Sequence, residues 1–308
     1  MAIVLQETLR GVFYAPYYAA LALGAYREEG VEVRFVSART PSDSARGLAD
    51  GTVDVTWGGP MRVMLTYDRD PECDLVCFCE VVTRDPFFLL GREPRPNFKL
   101  ADLMGKRVAT VSEVPTPWMC LQEDMRRAGL DPAKLDRITD QSMAGNAAAL
   151  RRGEVDVVQL FQPFVEELLE AGAGHIWYAA AERGPTSYTT LYARRALLAE
   201  RRNECQRMVR AVHRTLKWVH AGTAAQLAAA IAASFPDVPP RRLASALDRY
   251  KALGLWGRDP RLPRSGYERL RAGLISGGLV KTGAPYETAV DNSLAELVIG
   301  EDPPALTR

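Results

Sequence analysis

Apolar positions along the chain follow two alternating patterns. Residues 2–9, 31–37 and 53–57 have the short apolar runs or alternating side chains that are typical of β-strands. Residues 15–29 have the apolar spacing of a helix, and Gly30 is a stop signal. Strands that alternate with helices in this way predict a mostly parallel sheet with helices on both faces. The predicted fold class is therefore α/β.

A weak internal repeat suggests that this architecture occurs twice. Residues 44–55 read SARGLADGTVDV and residues 146–157 read NAAALRRGEVDV. In both copies a helix would end on glycine, and a short turn would lead into a buried strand. A helix–glycine–strand turn can also recur by chance in an α/β protein. We interpret the repeat as the mark of two lobes of similar construction.

Two extended segments could carry the chain between these lobes. Residues 75–93 are long and apolar, and residues 187–195 are rich in aromatic and β-branched side chains. They predict a two-strand hinge near residues 83–90 and 184–194, followed by a helical region from Ala196 onward. The predicted domains are lobe one, residues 1–85 plus 190–308, and lobe two, residues 86–186.

The composition excludes several classes of protein. Lys and Arg number 39 against 38 Asp and Glu, so a net charge of +1 gives no overall field for nucleic acid. No apolar run reaches the length of a membrane span. Residues 1–9 lack the pattern of a secretory leader, which leaves both a cytosolic protein and a processed precursor open.

Motifs for catalysis and for metal binding are missing from the sequence. There is no G-x-S-x-G, H-E-x-x-H, P-loop or G-x-G-x-x-G motif. The five cysteines are odd in number, and Cys77 and Cys79 lie on a predicted strand far from the three histidines, so we interpret the thiols as core residues. We therefore expect no catalytic residue, no metal and no cofactor.

Five segments of the sequence together resemble a known family, the ABC-transporter substrate-binding proteins of the sulfonate, nitrate and thiamine-pyrimidine type. The resemblance rests on the order and spacing of YYAALALGAYREEGVEV (17–33), LADGTVDV (48–55), LADLMGKRVAT (100–110), LRRGEVDVVQLFQPF (150–164) and YETAVDNSLAE (286–296). It covers almost the whole chain. It implies a two-lobed periplasmic-binding-protein fold of type II, with two parallel-rich sheets.

The resemblance also implies a function. A protein of this type closes on a small organic ligand and presents it to an ABC permease, as a monomer and, in the family, in the periplasm. Two alternatives on the same scaffold are a thiamine-pyrimidine-synthesising enzyme and a cytosolic ligand sensor. The enzyme branch needs a histidine, a lysine and a cysteine-rich CCCFC run, and residues 57–62 (WGGPMR) and 187–192 (SYTTLY) do not supply them.

Candidate ligand-binding residues follow from the fold, because ligands of open α/β sheets sit beyond the carboxyl ends of the strands. Each candidate also has an ordinary explanation, such as core packing, helix capping or a surface salt bridge. The predicted set, drawn from these loops and the hinge, is Arg10, Gly11, Tyr14, Ser44, Trp57, Gly58, Gly59, Arg62, Arg84, Glu113, Thr116, Trp118, Phe161, Gln162 and Tyr188.

The chemistry of this set predicts the kind of ligand. Aromatic side chains suit a planar or amphipathic molecule, and we expect it to be held between Trp57 on one wall and Trp118 or Phe161 on the other. The arginines could each pair with a carboxylate or sulfonate head. The expected ligand is therefore pyrimidine-like or acid-bearing.

Overall fold

The computed structural model describes residues 1–40 and 43–307. The strands in this part of the chain are β1 (Ile3–Glu7), β2 (Val33–Ser37), β3 (Val55–Gly58), β4 (Leu75–Val82), β5 (Phe88–Gly91), β6 (Arg107–Ala109), β7 (Asp136–Ile138), β8 (Val157–Leu160), β9 (His175–Ala179) and β10 (Thr189–Arg194). The helices are α1 (Ala15–Ala22), α2 (Ala25–Glu28), α3 (Asp43–Ala49), α4 (Pro60–Arg69), α5 (Thr116–Arg127), α6 (Met143–Arg152), α7 (Phe164–Glu170), α8 (Arg195–Glu200), α9 (Arg202–Ala221), α10 (Ala224–Ile231), α11 (Pro240–Ala252), α12 (Arg264–Ser276), α13 (Tyr286–Ala289) and α14 (Ser293–Glu301).

These strands form two sheets with the same plan. The first has the order β2-β1-β3-β10-β4, and the second has the order β7-β6-β8-β5-β9. In each sheet the fourth strand of that order runs antiparallel to its neighbours, and the others run parallel to one another. The first sheet, with the helices packed on it, is called lobe one, and the second sheet, with its helices, is called lobe two. The predicted α/β class with two parallel-rich sheets is confirmed, whereas the predicted domain limits stay a prediction.

The repeated segments occupy equivalent places in the two sheets. Each helix ends before a glycine in the left-handed region, Gly51 (φ 74°) or Gly153 (φ 74°), and the chain then enters β3 or β8. In lobe one, an Asp54 carboxylate oxygen accepts a hydrogen bond from the Val4 backbone N–H at 2.8 Å. In lobe two, Asp156 accepts from the Arg107 N–H at 2.9 Å. The shared Val-Asp-Val sequence therefore joins each strand to its parallel neighbour in the same way.

The predicted helix over residues 15–29 is wrong in one respect, because the structure divides it. The helix α1 ends at Ala22, and α2 begins at Ala25. Between them Gly24 has a φ of 72°, a left-handed conformation that glycine adopts without steric cost. The chain turns at Gly24 and interrupts the helix. The helical spacing of apolar residues nevertheless continues on both sides of this turn.

The two lobes are connected by segments 83–87 and 180–188, which we call the crossings. The C-terminal helices pack mainly on lobe one, where α9 lies against α1 and α2. Two of them also reach lobe two: α11 contacts α7, and α12 contacts α5. No helix in the described ranges combines the length and the apolar character that crossing a membrane would require.

Candidate functional site

A cleft lies where the carboxyl ends of the parallel strands of both lobes face each other. Its inner part is a cavity of about 50 Å³. Lobe one and the second crossing line it with Thr8, Leu9, Phe13, Tyr14, Gly59, Met61, Arg62 and Tyr188. Lobe two and the first crossing line it with Phe87, Val114, Thr116 and Phe161. The residues from the lobes follow the ends of strands, as expected of ligand sites in open α/β sheets, and Phe87 and Tyr188 directly precede β5 and β10.

Aromatic rings close the base of this cavity from both lobes. Phe13 of lobe one meets Phe161 of lobe two edge to face, with 5.2 Å between ring centroids. Phe87 packs against Phe161 at the same distance, and Tyr188 lies 6.4 Å from Phe13. All four rings are buried. The base of the cleft is therefore apolar and joins both lobes to both crossings.

Two helices direct their N-terminal ends at the cavity. The helices α4 and α5 have no side-chain cap at their start and no acidic residue in their first turn. Arg62 from the first turn of α4 and Thr116 from the first turn of α5 line the cavity. The first N–H groups of a helix that lack intrahelical partners carry partial positive charge, which favours an anion nearby. Pro60 and Pro117 contribute no N–H here, and the Arg62 N–H donates to the Gly59 carbonyl at 2.9 Å.

Arg62 adds a full charge to this positive environment. Its side chain is half-buried, and burial lowers the pKa of its guanidinium from the ordinary value. Its guanidinium makes no hydrogen bond or ion pair with the side chains and backbone that the structure describes. A half-buried guanidinium without an acidic partner can form charge-assisted hydrogen bonds with an anionic group.

Hydroxyl groups provide the neutral polar part of the lining. The Tyr188 hydroxyl is buried and has no hydrogen-bond partner among the described residues. The hydroxyls of Tyr14 and Thr8 lie 3.3 Å apart, and burial raises the pKa of Tyr14 to about 12. Thr116 places a further hydroxyl-bearing side chain at the cavity. Because a buried hydroxyl without a partner is unfavourable, Tyr188 would gain from a ligand oxygen.

A second cavity of about 350 Å³ lies on the outer side of the first. Leu9, Val114 and Phe161 line both cavities and separate them. The outer lining adds Arg10, Gly11, Val12, Glu113, Ser142, Met143, Ala144, Pro163, Phe164 and Phe235. Most of these side chains are apolar, so the cleft continues outward as an apolar chamber.

The two charged residues of the outer cavity are already engaged within the protein. Arg10 donates to Glu7 at 2.8 Å and to the Ser234 carbonyl at 3.3 Å. Glu113 accepts from the Met143 N–H at 2.8 Å, at the start of α6. In this structure Arg62 is therefore more available to a ligand than either of them.

The structure brings together many of the predicted residues. Those lining one or both cavities are Arg10, Gly11, Tyr14, Gly59, Arg62, Glu113, Thr116, Phe161 and Tyr188. The side chain of Ser44 lies outside the described part of the chain. That these residues contact a ligand stays a prediction.

The predicted place of Trp57 in the cleft is wrong. Its ring is fully buried and lies between the rings of Tyr17, at 4.9 Å, and Phe35, at 5.1 Å. Side chains of a strand point alternately to the two faces of the sheet, and Trp57 points to the face that α1 covers. It is a core residue of lobe one.

Trp118 also faces away from the cleft, contrary to the prediction. It packs against Leu121 and Met125 in the core of lobe two, and the Arg137 guanidinium lies 4.1 Å from its ring centroid. Trp118 follows Thr116 by two helical positions, which at about 100° each turn it to the opposite side of α5. The two tryptophans therefore cannot form the predicted clamp.

Three further predicted residues have structural roles outside the two cavities. Arg84 donates to the Ala181 carbonyl at 3.1 Å and so joins the two crossings. Gln162 is fully buried, and its side chain exchanges hydrogen bonds with Glu166 at 3.0 and 3.1 Å. A Cβ at Gly58 would lie 2.7 Å from the Thr8 side chain, so this glycine allows close packing between β3 and the end of β1.

Some cavity residues are absent from the predicted set. Thr8, Met61 and Phe87 line the inner cavity, beside Phe13. Met61 lies between two predicted residues, Gly59 and Arg62, so its position in the loop could have indicated it. Phe87 lines the cavity only because the first crossing passes under the cleft. No local pattern in the sequence indicates the path of this crossing.

The chain is similar to a described protein family and to a named relative. A family model described as "NMT1/THI5 like" matches residues 13–223. The protein named "Putative binding protein YtlA" of Bacillus subtilis (strain 168) is 26% identical over 297 residues, which cover 96% of this chain and 89% of that protein. The chain belongs to the NMT1/THI5-like family.

Solved structures show the same fold. The periplasmic sulfonate-binding protein SsuA from Methylobacillus flagellatus KT superposes with a TM-score of 0.77 at 16% identity, covering 100% of this chain and 98% of that one. The desulfurization enzyme DSZB superposes with a TM-score of 0.70 at 15% identity, covering 98% and 100%. The predicted periplasmic-binding-protein fold is confirmed, and DSZB shows that an enzyme also uses it.

Proposed function

We propose that this protein binds a small organic acid in the cleft and delivers it to an ABC permease. The observation that carries the proposal is Arg62, a half-buried cation with no partner among the described residues, placed at an inner cavity where two uncapped helix N-termini meet. A positive charge that is already positioned in the cleft favours the binding of a ligand with one anionic group.

The two cavities suggest how such a ligand would lie. The inner cavity of about 50 Å³ is large enough for a few water-sized groups, each needing about 10–15 Å³. It suits a sulfonate or carboxylate head near Arg62 and the Tyr188 hydroxyl. The outer cavity of about 350 Å³ suits an apolar or aromatic body. Glu113 and Glu7 are engaged within the protein, so a zwitterion would find no free carboxylate there.

The comparisons support binding rather than turnover. The relative in Bacillus subtilis is named as a binding protein, and the structure from Methylobacillus flagellatus KT is named as a sulfonate-binding protein. No cysteine or histidine occurs among the described residues that line the two cavities. We therefore propose a monomeric transport component that works in the periplasm, binds its ligand without chemical change and carries no cofactor.

Isothermal titration with matched compounds tests this proposal. We expect 4-methylbenzenesulfonate and 4-methylbenzoate to bind, and 4-methylbenzyl alcohol and taurine to bind at least tenfold more weakly, because the alcohol lacks the charge and taurine carries an ammonium group. At 100 times its dissociation constant, a bound acid would stabilise the fold by about 2.7 kcal/mol.

Arg62→Gln should weaken binding of the acids by about tenfold to a hundredfold, because a charge-assisted pair contributes about 1.5–3 kcal/mol. Arg69→Gln is the matched control, since it removes the same charge from an exposed position at the other end of α4. Equal affinity of both variants, or equal binding of the alcohol and the acids, would contradict the proposal.

A further inference from the structure

The hydroxyl of Tyr250 lies at a junction of three parts of the molecule. Tyr250 belongs to α11 and is fully buried. Its hydroxyl donates to the carbonyl of Pro86 in the first crossing at 3.1 Å, and it accepts from the backbone N–H of Gln162 in lobe two at 3.1 Å. One side chain of the C-terminal region thus holds a crossing and a loop of the cleft together.

The loop it holds carries a wall of the ligand cleft. Gln162 directly follows Phe161, the ring that meets Phe13 across the cleft at 5.2 Å. Arg249, the neighbour of Tyr250, adds an ion pair of 2.5 Å to Glu166, and Glu166 in turn holds the Gln162 side chain. Helix α11 therefore fixes Gln162, the residue behind Phe161, in two ways: Tyr250 holds its backbone N–H, and Arg249 holds its side chain through Glu166.

The same stretch of chain also holds the opposite wall. Six residues after Tyr250, the Trp256 indole N–H donates to the Phe13 carbonyl at 2.8 Å. Trp256 is buried, its ring lies 6.2 Å from the Tyr250 ring, and its backbone pairs with Val82 at the end of β4. Residues 250–256 therefore connect the two rings that face each other in the cleft, although neither Tyr250 nor Trp256 lines a cavity.

We propose that Tyr250 is a positioning residue of the ligand site. It sets the place of Phe161 against Phe13 from behind the cleft, and it thereby controls ligand affinity without touching the ligand. The proposal rests on the cleft being the ligand site. It goes beyond the proposed function because it assigns control of that site to the C-terminal helices.

Hydrogen exchange of the ligand-free protein gives the first test. Tyr250→Phe removes only the hydroxyl, so the Gln162 N–H loses its acceptor and we expect its exchange to become at least tenfold faster. Tyr267→Phe is the matched control, because the Tyr267 hydroxyl is also buried and donates to a carbonyl, that of Ala284, at 2.8 Å. Unchanged exchange at Gln162 in Tyr250→Phe would overturn the proposal.

Titration with 4-methylbenzenesulfonate gives the second test. We expect Tyr250→Phe to weaken binding about tenfold, or about 1.4 kcal/mol, and Tyr267→Phe to bind like the parent. A double-variant cycle with Phe161→Leu separates positioning from general loosening. If Tyr250 acts through Phe161, the two losses will not add.

Additive losses, or unchanged affinity in Tyr250→Phe despite faster exchange, would overturn the proposal. If Tyr250→Phe fails to fold, Trp256→Phe replaces it: release of the Phe13 carbonyl should weaken binding about tenfold, and parent-like affinity would count against the proposal. If the parent binds none of the acids, the proposed function fails, and exchange at Gln162 alone decides whether Tyr250 holds this wall.

Discussion

Arg183 and Asp85 form a buried ion pair that joins the two crossings, with 2.7 Å between guanidinium nitrogen and carboxylate oxygen. Their side chains are 6% and 1% exposed. Arg183 also contacts Asp124 of α5 at 2.5 Å, and its carbonyl accepts from Arg269 of α12 at 2.6 Å. The two crossings, where the sequence predicts a hinge, are therefore held together by largely buried charges.

We expect Arg183→Met to lower the free energy of unfolding by about 3–5 kcal/mol, because it leaves the buried Asp85 and the partly buried Asp124 without their cation. Urea denaturation measures this. Arg127→Met is the control on α5, where the exposed pair with Glu123 should contribute about 0.3–0.5 kcal/mol. Similar losses in both variants would show that the buried pair has no special role.

Glu80 should make stability fall as pH rises. Burial raises the pKa of this β4 side chain from the ordinary value of 4.5 to about 8, and neither carboxyl oxygen has a hydrogen-bond partner in the described ranges. The Ser187 hydroxyl lies close enough to lower this pKa somewhat, but outside hydrogen-bonding geometry. Between about pH 4.5 and pH 8 the unfolded chain loses the proton that the folded protein keeps.

The expected slope is a loss of about 1.4 kcal/mol of unfolding free energy per pH unit in that window. Glu80→Gln should remove it, so the variant would match the parent near pH 4 and exceed it at pH 8. Urea denaturation at pH 4, 6 and 8 measures the difference. A difference that does not change with pH would contradict the raised pKa.

Trp57 and Phe161 should respond differently to truncation. We expect Trp57→Ala to cost about 3–5 kcal/mol of stability through the cavity it leaves in the core of lobe one, while the folded fraction binds 4-methylbenzenesulfonate like the parent. Phe161→Ala should weaken that binding about tenfold, since it removes a ring that lines both cavities. Calorimetry on both variants, with folded protein quantified by circular dichroism, distinguishes these roles. The reverse pattern would restore Trp57 as a ligand contact.

Alkylation should distinguish Cys73 from the other cysteines. Cys73 is half-buried, whereas the other four are buried, and burial raises the pKa of Cys120 to about 12 and of Cys205 to about 11. With iodoacetamide at pH 8 we expect one label on the folded protein and five in urea, counted by intact mass. Rapid labelling of a second thiol in the folded protein would show that its surroundings open.

The sequence predicts the fold well where the pattern is local. The Val-Asp-Val repeat with its preceding glycine correctly indicated two similar sheets, because Asp54 and Asp156 act through neighbouring backbone and the glycines need a left-handed turn. The loops after the strands were also predictable, since the carboxyl ends of parallel strands lie on one edge.

The direction of individual side chains was less predictable. Trp57 in β3 and Trp118 in α5 adjoin the right loops but point into the cores, because strand alternation and helix rotation turn them away from the cleft. Phe87 reaches the cavity only through the path of a crossing, which depends on how the lobes are assembled. Contacts between segments that are distant in the sequence produce no regular residue pattern from which they could be predicted.

The position of β10 has a consequence for protein synthesis. All residues of β4 are buried, yet its neighbour in the sheet is β10, which the ribosome makes only after every strand of the second sheet. The other backbone bridges of β4, to Trp256 and Val290, lie still later in the chain. All strands of the second sheet are therefore present in the chain before β4 has a partner, and until the later residues join it β4 exposes an unpaired apolar edge of the kind that favours aggregation.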